Sequence, residues 1–572
     1  MPVYQPKYAS DLRMSGEYRH PFVDRAGEDD IDPQPYSDLA LTANERNMIA
    51  LSAALRAKPN WWVKIQDATI REKWREEALN APASYGELSL NEAEVQYVLD
   101  EVTWYATQRD DVTGIEQSIF HRIWQSDKLV DETLQAALLQ GVAVLENVPD
   151  DRKDWHPRSN GQVLDLVHPS LYCIVYGRTM VYEGSDEKLS DLPPAYDVDN
   201  LCGDACRFLS DQFSWLPTDF SISSDGTSAK ALAYINNLSR RRHPMLYPII
   251  EQLVARFVPL WERVLGETQM GEEHNLPSRI GADAEQQGYE WVLKDGFTED
   301  ELTDDDWEDR EKFNLVLPSV ISPFEPYEIK DPVSLRDRNI QVIVKLANIY
   351  LTPEKPSYPG GSWHVEGMMN EAIISTGIYY YDEQNVSQSS LAFRMGVHAP
   401  MVRVEQSDYK AAKAVFGISL DDPLNQVLGS VVTKQGRCLA FPNLYQHKVR
   451  PFELVDKSQP GHRKILALFL VDPALESPRL STSDIAPQQQ DEVCALLHDV
   501  ASQLGAGGHP AQRKGLGKLP NEVLDMIVDQ ADFVMTRREA EEYRLRLMDE
   551  RGIMVGENTE LMFAAPFNMC EH

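Results

Sequence analysis

The chain has 572 residues, 42% of them hydrophobic and 25% charged, a globular composition that excludes disordered, collagenous and coiled-coil classes. Its length corresponds to about four ordinary domains. Acidic residues outnumber basic ones 90 to 55, giving a net charge of −35, and such a field repels phosphate backbones and argues against a nucleic-acid partner.

The one basic run, Arg240-Arg241-Arg242-His243, is short and reads as a solvated turn. Cys173, Cys202, Cys206, Cys438, Cys494 and Cys570 are scattered. Cys202 and Cys206 have no second pair to complete a zinc site, so the expectation is reduced thiols in a reducing compartment. The N-terminal MPVYQPKYASDLRM lacks an apolar signal core, and no apolar run is long enough to span a bilayer. Together these imply a soluble, cytoplasmic protein with no membrane partner.

In chain order, residues 1–40 are polar and Pro-rich and read as an extended arm carrying GEDDIDPQP. Residues 41–325 read as mainly helical, with helices expected at 91–107, 129–141 and 248–265. Pro259 is expected to kink the last of these and Gly266 to end it. The acidic 296–312 run reads as a solvated boundary. From about residue 338 the period changes to two. Strands are expected at 339–351, 372–381, 391–395, 436–441 and 463–471, separated by turn residues in the manner of a sandwich or jelly roll. After residue 480 the chain turns helical again, with a Gly-rich stretch at 504–518. A final helix is capped by Thr536 and Glu539, braced by Glu542 and Arg546, and stopped at Gly552.

The chemistry concentrates in PGGSWHVEGMMNEAIISTGIYYYD. His364 and Glu366 are two apart, so a strand projects both on one face. An imidazole nitrogen and a carboxylate oxygen can then share a metal. Two histidines and one carboxylate make the facial iron(II) site with open positions, and His447, following GRCLAFPN, supplies the second histidine. With 13 His and 90 acidic residues, a His-x-acid triplet is expected about twice by chance and occurs once. The triplet therefore gains its weight from the Gly-Gly turn before it, the strand after it and the late His. Arg463, sixteen residues beyond His447, begins a strand and can hold a carboxylate through two parallel hydrogen bonds. Its neighbour Lys464 points to the opposite face and is the competitor for that role. An open iron face plus such a cation is what 2-oxoglutarate requires. Asn348, Tyr350 and Tyr380, on flanking strands, are candidates to contact it.

These segments resemble the double-stranded β-helix of iron(II)- and 2-oxoglutarate-dependent dioxygenases, in the prolyl-hydroxylase-like order of His-x-carboxylate, late His and following Arg. The whole chain resembles a large fungal family catalogued only as a domain of unknown function. VHPSLYCIVYGRT (167–179), GSWHVEGMMNE (361–371), FPNLYQHKVRPFEL (441–454), GHRKILALFLVDP (461–473) and EAEEYRLRLMDER (539–551) carry that likeness. Three positions depart from the pattern: Ala372 stands where the family favours His, SRRRHP interrupts the stretch after YINNL, and the carboxylate is Glu rather than Asp.

The resulting expectation is an α+β chain with a double-stranded β-helix (jelly-roll, cupin-like) core at 326–480 and a C-terminal helical region at 481–572 packing on it. Its function would be an iron(II)- and 2-oxoglutarate-dependent dioxygenase. Hydroxylation, desaturation or demethylation of a small molecule, such as a secondary metabolite or amino-acid derivative, would consume molecular oxygen. Two alternatives stay open: a non-catalytic scaffold around an inert jelly roll, and a cupin-like metalloenzyme that does not use 2-oxoglutarate.

Overall fold

The computed structural model describes residues 14–22, 40–86, 89–183, 188–192, 208–270, 279–280, 290–303, 311–316, 323–327, 332–399, 409–505 and 515–568. The GEDDIDPQP stretch, Cys202, Cys206, Cys570 and residues 506–514 of the Gly-rich run lie outside them. Among the described residues no helix is long and apolar enough to cross a membrane.

The helices of nine or more residues are α1 (Ala43–Arg56), α2 (Ala68–Leu79), α3 (Glu92–Gln108), α4 (Glu132–Glu146), α5 (Leu246–Gly266), α6 (Gln490–Gly505), α7 (Asn521–Asp529) and α8 (Arg537–Asn558). Sequence chemistry sets their ends. Asn91 and Glu94 form a reciprocal capping box at the start of α3, which satisfies two orphan N–H groups. Thr536 Oγ1 accepts from Glu539 N at 3.1 Å. The remaining expectations for α8 differ. Glu539 turns its carboxylate to Arg178 at 2.9 Å, Glu542 pairs with Arg538 at 3.2 Å, and Arg546 donates to Gln212 at 2.6 Å. Gly552 meets nothing within 4 Å, and the helix runs past it to Asn558 because nothing there demands a turn.

The strands of the two main sheets are β1 (Glu116–Gln117), β2 (Trp124–Ser126), β3 (Val163–Val167), β4 (Thr218–Ile222), β5 (Ala229–Ala231), β6 (Asn339–Leu351), β7 (Ile373–Gln384), β8 (Ser389–Gly396), β9 (Asn425–Thr433), β10 (Cys438–Pro442), β11 (Gln446–Val449) and β12 (Gly461–Val471). One large sheet runs β1-β2-β10-β7-β12-β6-β4-β5, with β3 also on β6. A small sheet runs β9-β8-β11. Every pairing in both is antiparallel. The protein is thus a mixed α/β chain built on antiparallel sheets. The five expected strands all form. β9 and β11 were not expected, and neither were the short strands of the 41–325 region that widen the large sheet. Those are two to five residues long, too brief to show a period.

Period-two alternation divides the large sheet into two faces. On the outer face Val342, Val344, Leu346, Leu466, Leu468 and Leu470 pack with Phe257 and Trp261 of α5, each burial contributing about 1.5–3 kcal/mol. Gly377 permits the close approach of that helix: a Cβ there would stand 2.6 Å from the Phe257 ring. On the inner face Ile343, Ile378, Tyr380, Phe441, Ala467 and Phe469 meet Leu391, Phe393 and Val431 of the small sheet. The expected solvated turn at Arg240–Arg242 is instead paired with α6. Arg242 meets Asp491 at 2.8 Å and Arg241 meets Asp499, so the run offers no free basic patch.

Candidate metal centre

Beyond β6 the chain turns at Gly360. Its φ is +90°, and a Cβ there would lie 2.6 Å from the Val449 carbonyl, so glycine alone lets this segment lie against β11. Gly361 N donates to Val449 O at 3.0 Å, and His364 and His447 exchange backbone hydrogen bonds of 3.2 and 3.0 Å. That antiparallel bridge sets the two imidazoles side by side, with ring centroids 4.4 Å apart.

Glu366 Oε1 stands 3.6 Å from His364 Nε2 and 3.3 Å from His447 Nε2. Three donors at right angles around an ion at about 2.1 Å would be about 3 Å apart, so the set closes on a metal with small rotations. The His364 Nδ1 lies 2.9 Å from Ser362 O. A proton on Nδ1 donated to that carbonyl leaves the Nε2 lone pair facing Glu366. His447 packs on Phe441, centroids 4.8 Å apart. His364 keeps 34% of its side-chain exposure, against 15% for Glu366 and 4% for His447, so the centre opens to solvent on the His364 side.

The electrostatics match the donor set. Burial disfavours the Glu366 charge, but hydrogen bonds from both imidazoles outweigh it and hold the carboxyl well below its usual range. Burial, joined by the His364 charge, pushes His447 down toward the neutral, metal-binding form. Burial also opposes a charge on His364, yet Glu366 more than compensates and raises it.

Asn443, fully buried, clamps the loop. Its Oδ1 accepts from Glu366 N at 2.7 Å, and its Nδ2 donates to Glu366 O at 2.8 Å and Ile373 O at 3.0 Å. Sequence reasoning missed it. The available signal was an amide four residues before His447 in FPNLYQH.

Arg463 is buried on the inner face, opposite Ile349 and Glu383 in the register. Its Nη2 and Nε reach Glu383 Oε2 at 2.8 and 3.2 Å, and its Nη1 reaches Ser389. Tyr380 faces the same side, with its ring 6.0 Å from that guanidinium. Thr376, level with Phe441, has a buried hydroxyl with no hydrogen-bond partner among the described residues. Asn348 and Tyr350 are not brought to the site. Arg463 pairs with Ile349, so the residues on either side of Ile349 face outward. There Asn348 donates to Glu146 at 2.7 Å and to Tyr350 Oη at 3.1 Å, and Lys464 pairs with Glu146 at 3.0 Å.

A second His–Asp–His group, His156, Asp165 and His168, also brings its donor atoms together. Here His156 lies 2.7 Å from Asp165, and Arg544 of α8 reaches both Asp165 and Asp154. The guanidinium supplies the positive charge that a metal would bring, which makes this a closed ion-pair network tying α8 to β3.

No curated protein matches the chain. Among solved structures, one described as selenomethionine-labelled Fe(II)/(alpha)ketoglutarate-dependent dioxygenase TqaL aligns at 10% identity and TM-score 0.22, over 62% of this chain and 95% of that one. IDO from Bacillus thuringiensis aligns at 11% identity and TM-score 0.15, over 23% of this chain and 46% of that one. A bsmA homolog from Methylobium petroleophilum aligns at 13% identity and TM-score 0.15, over 24% and 42%. The last two matches thus span less than half of those proteins. Likenesses at such scores carry no argument, and the site stands on its own geometry. Residues 1–77 match the model described as domain of unknown function DUF4246, N-terminal, and residues 92–494 match protein of unknown function (DUF4246), so the chain belongs to the DUF4246 family.

Proposed function

We propose that the protein is a non-heme iron(II)- and 2-oxoglutarate-dependent dioxygenase acting on a C–H bond of a small molecule. The observation that carries this reading is the convergence of His364 Nε2, Glu366 Oε1 and His447 Nε2 at an open end between two sheets. The sheet order supports it. β6-β12-β7-β10 and β11-β8-β9 are both antiparallel, their inner residues share one core cluster, and the His364 segment bridges to β11, an order that supports the reading of a double-stranded β-helix. The donor chemistry also fits iron: nitrogen and oxygen ligands on one face, with no thiolate.

His364, Glu366 and His447 would hold the ion, and Asn443 would fix the loop that presents two of them. Arg463 would take the far carboxylate of 2-oxoglutarate. The Glu383 carboxylate pairs with that guanidinium at 2.8 Å and would have to share it. Tyr380 would wall the same cavity. Bound iron and 2-oxoglutarate would supply the oxidising power by coupling oxygen reduction to decarboxylation of the oxo acid. The protein's part is to orient, to exclude water and to keep Glu366 ionised.

The test is oxygen uptake and succinate formation by the purified protein with Fe(II) and 2-oxoglutarate. The expected result is iron-dependent succinate that His447→Ala abolishes. A wild type that binds no metal, or that turns over equally well as His447→Ala, refutes the reading. Turnover without succinate assigns a different metal chemistry.

A further inference from the structure

A cavity separate from the metal centre lies between α1 and the small sheet. β9 is an edge strand of that sheet, and its register slips at one point. Phe393 pairs with Gly429 and Arg394 with Val427, which leaves Leu428 as the extra residue of a bulge. A bulge bends the strand that carries it. Beside it lies a cavity of about 200 Å³, walled by Ile49, Phe120 and Leu428 and by Arg46 and Tyr85. None of His364, Glu366, His447 and Arg463 lines it.

Arg46 is the cation of this cavity. It is half-buried, and its Cζ stands 3.8 Å over the centre of the Tyr85 ring, a cation–π contact. The residue next to Arg46 fixes that ring in place. Asn47 Oδ1 accepts from Ser84 N and Tyr85 N, both at 2.9 Å, and Asn47 Nδ2 donates to Tyr85 O at 2.8 Å. The guanidinium therefore rests on a held aromatic floor. It has no counter-ion: among the described residues no carboxylate lines the cavity, and the buried Nε of Arg46 has no hydrogen-bond acceptor. Burial weakens the hold of the guanidinium on its proton, and Tyr85 alone opposes that effect. Gln426, also in the wall, is spent on Leu41, accepting from its N and donating to its O at 2.9 Å each.

Acidic residues outnumber basic ones 90 to 55, yet none serves this arginine. A buried donor without an acceptor is costly, and an anion entering the cavity would relieve that cost. The other walls are apolar and set the rest of the ligand. An apolar cavity of about 150 Å³ takes benzene, so this one suits a body of roughly six to eight carbon atoms.

We propose that the cavity is a binding site for a small apolar monocarboxylate, with Arg46 pairing the carboxylate and Ile49, Phe120 and Leu428 enclosing the hydrocarbon. The site needs no metal and does not rest on the dioxygenase reading.

The test uses the metal-free full chain, titrated by calorimetry with benzoate and hexanoate and with their uncharged amides. The wild type is expected to bind the acids with a Kd near or below about 1 mM and the amides about tenfold more weakly. Arg46→Met is expected to weaken the acids roughly 10–100-fold and to leave the amides within twofold. Ala50→Leu, which fills the cavity from α1, is expected to abolish binding of acids and amides alike with Arg46 intact. His447→Ala is expected to bind as the wild type does. Arg46→Gln, measured beside thermal unfolding, takes the place of Arg46→Met should that variant not fold. Acids that bind no better than their amides, or equally well to Arg46→Met or Arg46→Gln, overturn the proposal. So does binding that survives Ala50→Leu or is lost in His447→Ala, either of which places the acid elsewhere. A wild type that binds neither acid at about 10 mM overturns it outright.

Discussion

Asn443 offers a direct measure of how far the site depends on the loop that carries it. Replacing it with Ala removes three buried hydrogen bonds, to Glu366 N, Glu366 O and Ile373 O. Each contributes about 1 kcal/mol net, and the Glu366 N–H left without its acceptor adds about 1–3 kcal/mol. The expected loss of stability is therefore about 4–6 kcal/mol. The consequence for the metal is separable from it. Glu366 is a carboxylate whose own backbone is held by Asn443, and loss of such outer partners typically costs 10–100-fold in affinity. Chemical denaturation should show the lowered midpoint. Titration with Co(II) or Fe(II) under native conditions should show metal affinity falling by one to two orders of magnitude. Asn443→Asp retains the acceptor for Glu366 N but loses both donated bonds, and should fall between wild type and Ala. A variant that unfolds more easily yet binds metal within twofold of wild type would refute the claim that Asn443 sets the ligand geometry.

Gly360→Ala should also weaken metal binding, because a left-handed side chain costs about 1–2 kcal/mol and its Cβ would press on Val449 O; unchanged metal affinity would count against the turn as the hinge of the His364–His447 bridge. Arg544→Met should destabilise the protein by about 3–5 kcal/mol, since it leaves buried Asp165 with His156 alone and Asp154 with Arg537 alone; a loss below about 1 kcal/mol would show the network to be dispensable. Burial lifts Glu267 from the usual 4.5 to about 7, even though Arg122 and Trp124 donate to it. An acid that binds its proton more tightly when folded stabilises fully below its ordinary pKa and loses that contribution as pH rises through the folded one. Wild-type stability should thus fall by roughly 3 kcal/mol between pH 4.5 and 7 on account of this group, and Glu267→Gln should flatten that slope in denaturation measured across the range.

Much of this was legible because period two is a local signal. NIQVIVKLANIYL states its alternation within one strand, and β6 forms over those same residues. The same alternation puts Asn348 and Tyr350, two residues apart, on one face. What it could not give was which face lies inward, because that depends on the partner strand: only the pairing of Ile349 with Arg463 sends Asn348 and Tyr350 outward to Glu146. The His364–Glu366 pair was readable from spacing, whereas its approach to His447 required a bridge between segments more than 80 residues apart. Asn443 escaped notice for a similar reason. A buried amide that clamps another segment's backbone has no periodicity, and its role exists only once β10 has delivered it beside Glu366.

The long additions to the core have a physical role at the same place. The loop between the His364 segment and β7 is held from both ends of the chain. His20 lies 3.0 Å from Ile373 O, Met369 N donates to Phe208 O at 3.0 Å, and Glu371 is gripped by Trp215 N at 2.7 Å and by Arg551 of α8. Arg551 in turn stacks on Trp215 at 3.8 Å. A ligand loop of this kind must hold its donors to within a fraction of an ångström, and these outside contacts add to its own hydrogen bonds, such as Met368 N to Glu371 Oε2 at 2.6 Å. The N-terminal segment and α8 supply further restraints from chain regions some 350 residues before and 180 residues after it. Segments far from the sheets in sequence thus restrain the stretch that carries the candidate ligands.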